Sequence, residues 1–206
     1  MGEGETRAEK GFLSPTDLEL VRDARNGDME AFHRLVDRHA NYLYGLALSL
    51  LDGPADAEDA VQETLKGAFG GLRGFREESS VKTWLTRILI RQVAYARKRR
   101  RWLRLFRPLE ASPEPIRAAG TEQSNVRLDV RAAVLALRQE YREVITLREL
   151  EGFSYQEIAQ ALGIPQGTVE SRLFRARREL QGLLAAYRQE EPADGKGTRS
   201  RESGHE

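Results

Sequence analysis

The side chains of this sequence best equipped for chemistry are arginines, short hydroxyls and carboxylates set out on helical periods, and they suit recognition better than catalysis. Over residues 154–178, SYQEIAQALGIPQGTVESRLFRARR, Thr168, Ser171, Arg172 and Arg175 fall on one side of a helix and Val169, Leu173, Ala176 and Leu180 on the other. Arginine presents a planar fork that matches the major-groove acceptors of guanine, and small residues beside it permit close approach. A second group, Asp56, Glu58 and Asp59 with Gln62 and Glu63 beside them, opens another helix. A third is the run Arg97, Lys98, Arg99, Arg100 and Arg101, whose mutual repulsion contributes little to folding and which is suited to displacing counterions from a phosphate backbone. Catalysis lacks its usual parts. His33 and His39 stand on different helix faces, His205 lies in a polar tail, and no cofactor or metal site is implied.

Each group needs an element to position it. Ser154 and Glu157 have capping-box spacing, so a short helix starts there, with Ile158, Ala159 and Leu162 on its apolar face. Gly163 supplies a left-handed stop, Ile164 a buried anchor, and Pro165 the opening of the next helix. A helix-turn-helix results. The acidic helix, DAEDAVQETLKGAF, buries Ala57, Val61, Leu65 and Ala68 and places its carboxylates where the helix dipole favours them. Its polar side reads either as a docking face for a basic partner or as an ordinary solvated surface. The glycine-rich loop GGLRGFREESS follows, ending in serines that can cap the helix beyond. That helix, from Val81 to about Arg101, buries Val81, Trp84, Leu85, Ile88, Leu89 and Ala96 and puts Arg87, Arg91 and Lys98 on another face.

The chain has 206 residues, 40% hydrophobic and 32% charged, with 7% aromatics and no cysteine. That composition favours small helical domains, excludes disulfides and thiol chemistry, and fits a reducing cytoplasm. No stretch approaches the roughly 18 apolar residues of a membrane span. A net charge of +1 means that attraction to nucleic acid comes from local clusters. Residues 1–13 read as a disordered lead. In the first domain, 14–107, Ser14 and Pro15 open a helix carrying Leu18, Val21 and Ala24, and Gly27 closes it. Asp28 caps a long helix with the stripe Phe32, Leu35, Val36, His39, Leu43, Leu46 and Leu50. Residues 108–124, with three prolines and a glycine, read as a flexible linker. The second domain, 125–188, adds Val130, Val134 and Leu137 on one helix and Tyr141, Val144, Ile145 and Leu150 on another, closed by Gly152. Residues 189–206 read as a disordered tail. The fold class expected is all-α, two small helical domains on a flexible tether, the second containing the helix-turn-helix.

These residues resemble the extracytoplasmic-function sigma factors of the bacterial sigma-70 family. DAEDAVQETLKGAF, followed by GFREESSVKTWLTRIL and the basic helix end, is similar to the family's region 2, and LRELEGFSYQEIAQALGIPQGTVESRLFRARREL is similar to region 4. The resemblance implies a cytoplasmic, non-enzymatic subunit that binds core RNA polymerase at its clamp helices and flap, directs it to promoter DNA, and is held by an anti-sigma factor. Asp56, Asp59, Gln62 and Glu63 match the face that docks on the clamp helices. Phe75, Arg76, Glu77 and Glu78 match the loop that holds a base flipped from the minus-ten element, with Arg87 and Arg91 on the helix above it; Lys98 shares their face by period, and Arg97, Arg99, Arg100 and Arg101 are the phosphate candidates of the basic run. Thr168, Ser171, Arg172, Phe174 and Arg175 match the reader of the minus-thirty-five element. Arg91 and Tyr95 stand where relatives commonly carry Asn and Asp, Gly67 is unusual in the acidic helix, and Arg138 and Gln139 stand where prolines are common. A helix-turn-helix repressor acting alone is the competing reading, and it leaves the acidic helix and basic run without a role.

Overall fold

The computed structural model describes residues 15–105 and 130–190, and every regular element among them is helical. The expected lead and linker lie outside the described residues, as does the tail beyond residue 190. The described chain divides at the break between residues 105 and 130 into two compact units, with residues 159–164 grouped with the first.

In the first unit, α1 (Asp17–Arg25), α2 (Met29–Leu50), α3 (Pro54–Gly71) and α4 (Val81–Leu105) pack as α1 on α2, α2 on α3 and α3 on α4. The helix start expected at Ser14 and Pro15 falls later. Thr16 is the N-cap, in a reciprocal capping box with Glu19, because that pair satisfies two backbone amides that Pro15 cannot. The buried face is Leu20, Val21 and Ala24, with Leu18 at the surface. Asp28 caps α2 through the amides of Glu30 and Ala31 at 2.9 and 3.1 Å. His39 lies in the core stripe as expected, and Asp17 holds its Nε2 at 2.7 Å.

α3 does not stop at its glycines. It continues through Gly70 to Gly71, and a 3-10 turn over Leu72–Gly74 follows. Helical glycine costs roughly 1 kcal/mol against alanine, and tertiary contact overrides it here: Phe69 meets the edge of Phe32 with centroids 5.1 Å apart, and a Cβ on Gly71 would lie 3.5 Å from Trp84. Gly67 has a packing reason as well, since a Cβ there would come within 3.3 Å of Ile88, and its absence lets α3 approach α4. Ser80 caps α4 as expected, its Oγ accepting from the Thr83 amide at 3.0 Å. The buried side of α4 is Val81, Thr83, Leu85, Thr86, Leu89, Ile90 and Val93, while Trp84, Ile88 and Ala96 are half-buried.

After the break come α5 (130–136), α6 (Gln139–Ile145) with a π-helical continuation over Thr146–Leu150, α7 (Tyr155–Leu162) and α8 (Gln166–Glu190). Val134, Leu137, Tyr141, Val144 and Ile145 are buried as expected, whereas Val130 and Leu150 are not. The π turn explains Leu150: an i-to-i+5 bond from the Glu151 amide to Thr146 adds a residue to the turn and rotates the positions after it. Leu147 and Phe153 are buried instead, and Leu150 is 56% exposed. Gly152, at φ +71°, turns the chain so that the Phe153 amide closes on the Leu147 carbonyl at 2.9 Å. Arg142 is buried, and its guanidinium donates to the carbonyls of Leu135 and Leu137 at the end of α5.

Arg142→Ala strips those carbonyls of a donor and is expected to destabilise the second unit by about 1–3 kcal/mol. Hydrogen exchange of the α6 amides measures it. Unchanged protection would mean that water satisfies the end of α5 equally well.

Candidate functional site

The helix-turn-helix is built as its residues require. Ser154 and Glu157 form the full capping box, the Ser154 Oγ and amide both reaching Glu157 Oε2, at 2.7 and 2.8 Å, and the Glu157 amide returning to Ser154 Oγ at 3.2 Å. Gly163 is left-handed at φ +67°. Pro165 precedes α8 and accepts from the Thr168 and Val169 amides, so it caps the helix where the sequence suggested that it opens it. Ile164 is half-buried in place of the fully buried anchor expected. Ile158 inside α7 and Val169, Leu173 and Ala176 inside α8 are fully buried.

The opposite face of α8 carries Ser171, Phe174 and Arg175, all exposed, with Thr168 and Arg172 half-buried at its edge. Phe174 is 70% exposed, which is unusual for an apolar ring with the helix core available one turn away. Ser171 turns its hydroxyl back to the Thr168 carbonyl at 3.0 Å, keeping the face low. Arg177, one step round the helix, forks onto Glu149 at 2.7 and 3.1 Å, and that hydrogen bond raises its pKa and ties α8 to the π turn. Arg138, one of the pair that stands where prolines are common in the family, lies over Tyr141 at 4.5 Å and approaches Glu179 at 3.5 Å.

In the first unit the acidic and basic groups prove to be neighbours. Arg99 lies 3.7 Å from Asp56 and 3.4 Å from Asp59, and Arg100 lies 3.0 Å from Asp52 and 3.6 Å from Asp56. Gln62 and Glu63 are exposed further along α3, where Glu63 pairs with Lys66 at 2.7 Å. The run from Arg97 to Arg101 is thus not uniform, and its expected silence in folding is corrected for Arg97. That guanidinium is half-buried and donates to the Leu50 carbonyl, the last of α2, where helix carbonyls draw donors from outside the helix. Arg87, Arg91, Lys98 and Arg101 are exposed, as are Tyr95 and Trp102.

The loop between α3 and α4 is similarly divided. Arg76 and Glu78 face solvent. Phe75 is buried against Trp84 with centroids 4.8 Å apart, so its ring anchors the loop. Glu77 is occupied by Arg22, and the hydrogen bond from that guanidinium holds the Glu77 carboxyl below the usual carboxylate range. Arg22 and Arg25 were not singled out from the sequence. Their three-residue spacing, flanking the buried Val21 and Ala24, was the available signal. Among the described residues no cluster of His, Cys, Asp or Glu could hold a metal ion, and no helix is long and apolar enough to cross a membrane.

Two family models match the chain, sigma-70 region 2 over residues 35–103 and sigma-70 region 4 over residues 127–180. The ECF RNA polymerase sigma factor SigM of Mycobacterium tuberculosis is 34% identical over 169 residues, 82% of this chain and 85% of SigM. Among solved structures, CnrH in complex with the cytosolic domain of CnrY is similar with a TM-score of 0.64 and 31% identity, covering 82% of this chain and 97% of that one. The sigma factor RpoE of Bartonella quintana, in complex with the anti-sigma factor NepR, is similar with a TM-score of 0.59 and 31% identity, covering 75% and 96%.

The carbonyl donor and the solvated cation of the basic run differ measurably. Arg97→Gln is expected to cost about 1 kcal/mol, because the Leu50 carbonyl loses a charged donor, whereas Arg101→Gln changes stability by less than about 0.5 kcal/mol. Thermal unfolding of the two variants side by side checks this. Equal melting temperatures would remove Arg97 from the folding role.

Proposed function

The chain belongs to the sigma-70 family as an ECF RNA polymerase sigma factor that directs promoter-specific transcription, and from that membership we propose which surfaces carry the work. The exposed face of α8 reads the minus-thirty-five element. The observation that carries this is Arg175 and Phe174 standing exposed on a helix whose other side is fully buried, with the low Ser171 beside them. Arg172 and Arg175 read guanine edges, Phe174 meets thymine methyls, and Thr168 sits where the helix enters the groove.

The first unit serves two partners. Exposed Asp59, Gln62 and Glu63, with Asp56 at their edge, dock on the clamp helices of core polymerase, and the flap is the second core contact. Arg76 and Glu78 frame the base flipped from the minus-ten element, with Phe75 and Glu77 shaping the loop from behind. Arg87, Arg91 and Lys98 line the helix above it, and Arg101 meets phosphate together with Arg99 and Arg100 where these leave their aspartates. Arg97 stays with the fold. In this reading the chain works in the cytoplasm, performs no chemistry of its own, and is held inactive by an anti-sigma factor. Support for that last partner is the Bartonella relative, solved with one bound.

Two experiments test the assignment. Arg172→Ala and Arg175→Ala holoenzymes are expected to lose about 1–3 kcal/mol on the preferred minus-thirty-five sequence and to relax preference at one base each. A uniform loss on every sequence would mark a phosphate contact instead, and no loss would remove α8 as the reader. Reversing Asp59 and Glu63 to Lys is expected to weaken core polymerase binding by several kcal/mol with thermal stability retained, since both groups are solvated and their pairs contribute little. Unchanged core affinity in a titration would move the docking face elsewhere.

A further inference from the structure

Glu77 has φ +59° and is the one non-glycine residue with positive φ among the described residues. A side chain with a Cβ enters that region rarely, and it persists only where its surroundings over-determine it. Arg22 of α1 supplies that constraint as a two-point fork, Nε to Oε1 at 3.2 Å and Nη2 to Oε2 at 2.6 Å. Arg25, one turn on, adds three more holds. Its Nε donates to the Leu72 carbonyl at 2.8 Å, its Nη2 donates to the Phe75 carbonyl, and its Nη1 stands 3.7 Å from Glu77. The guanidinium also lies 6.0 Å from the Phe75 ring centroid, and that ring is fixed by Trp84. Two arginines of one helix thus grip the loop on both sides of Arg76 and immediately before Glu78, the two residues it displays to solvent.

We propose that the Arg22–Glu77–Arg25 clamp sets the pose of this loop and thereby the base preference at the minus-ten element, which makes α1 a specificity-determining element although it precedes residue 35, where the region 2 match begins. The proposal rests on reading the loop as the minus-ten face. Arg22 and Arg25 are positioning residues, acting through Arg76 and Glu78. Arg22 is 58% exposed and bonds no core group, so its removal loosens the loop without opening the core.

The test uses holoenzyme and promoter templates carrying each base in turn at every minus-ten position, with core affinity and melting temperature measured on the same proteins. Arg22→Ala is expected to compress the affinity span between best and worst base by about threefold, the scale of one partly exposed ion pair, with core affinity and melting temperature as in the wild type. Glu77→Gly is expected to do the same; it also relieves the positive φ, so backbone strain cannot unfold it. The double variant compresses the span no further than Glu77→Gly alone, because the fork of Arg22 has already lost its carboxylate there. Arg22→Lys recovers only part of the preference, retaining the charge without the fork. An intact profile in both singles, with Arg76→Ala or Glu78→Ala altering it, overturns the clamp and leaves the loop reading standing. An intact profile in all four overturns the loop reading and the clamp with it. Compression that merely tracks lost core affinity or a lower melting temperature assigns the pair to folding and also overturns the clamp.

Discussion

Every helix end leaves backbone carbonyls without a helical partner, and in a protein built only of helices their satisfaction constrains the whole structure. Here arginine side chains from neighbouring elements meet that need. Arg97 reaches the Leu50 carbonyl at the end of α2, Arg25 the Leu72 and Phe75 carbonyls after α3, and Arg142 the Leu135 and Leu137 carbonyls at the end of α5. Each brings a positive charge to the negative end of a helix dipole as well as donors to its orphaned oxygens. Because the donors come from a different element, they also fix how one element sits against the next. Arg25 ties α1 to the loop after α3, and Arg97 ties α4 to α2. The surfaces assigned to polymerase and to DNA stand on elements held in this way.

That double use of arginine marks the limit of what the sequence disclosed. Periodicity located the elements well: the Asp28 and Ser80 caps, the stripe on α2, the Ser154–Glu157 box and the left-handed Gly163 all follow from local chemistry, and all are present. The two-domain all-helical architecture was likewise legible from composition and from the helix stripes. What was not legible depended on contacts distant in sequence. Gly70 and Gly71 read as helix breakers because the contacts of Phe69 with Phe32 and of α3 with Trp84 cannot be seen in the chain order. Leu150 read as core because a regular period has no signature for the extra residue of a π turn. Arg97 read as one of five equivalent cations because nothing local distinguishes a carbonyl donor from a phosphate ligand.

For the candidate sites, the same distinction separates residues within each motif. Phe75, Arg76, Glu77 and Glu78 are contiguous, yet only the second and fourth are exposed; the first is core and the third is gripped by α1. A motif of four therefore divides into two that display and two that hold. The turn makes this possible by alternating the direction of successive side chains, and the positive φ at Glu77 is where that alternation departs from ordinary backbone. The face of α8 is simpler, because a helix assigns its sides by period alone: of Thr168, Ser171, Arg172 and Arg175, placed by the period opposite the core, the structure exposes Ser171 and Arg175 and half-buries the other two.

The charge arrangement of the first unit bears on how such a protein avoids indiscriminate binding. Phosphate affinity grows with the number of cations that can release counterions, and it is independent of sequence. Asp52, Asp56 and Asp59 stand within 4 Å of Arg99 or Arg100, so part of the basic run is already compensated by its own chain. With Arg97 committed to the Leu50 carbonyl, Lys98 and Arg101 are the members of the run that stand exposed without a commitment of this kind. These pairs are solvated and individually weak, so a partner that engages the carboxylates of α3 competes for them at little cost and releases the arginines at the same time. The acidic helix and the basic helix end are in this way electrostatically coupled. Under the proposed assignment of α3 to polymerase and α8 to DNA, a chain with a net charge of +1 keeps its general attraction to DNA low until the face of α3 is occupied, and the bidentate contacts proposed for α8 supply sequence readout.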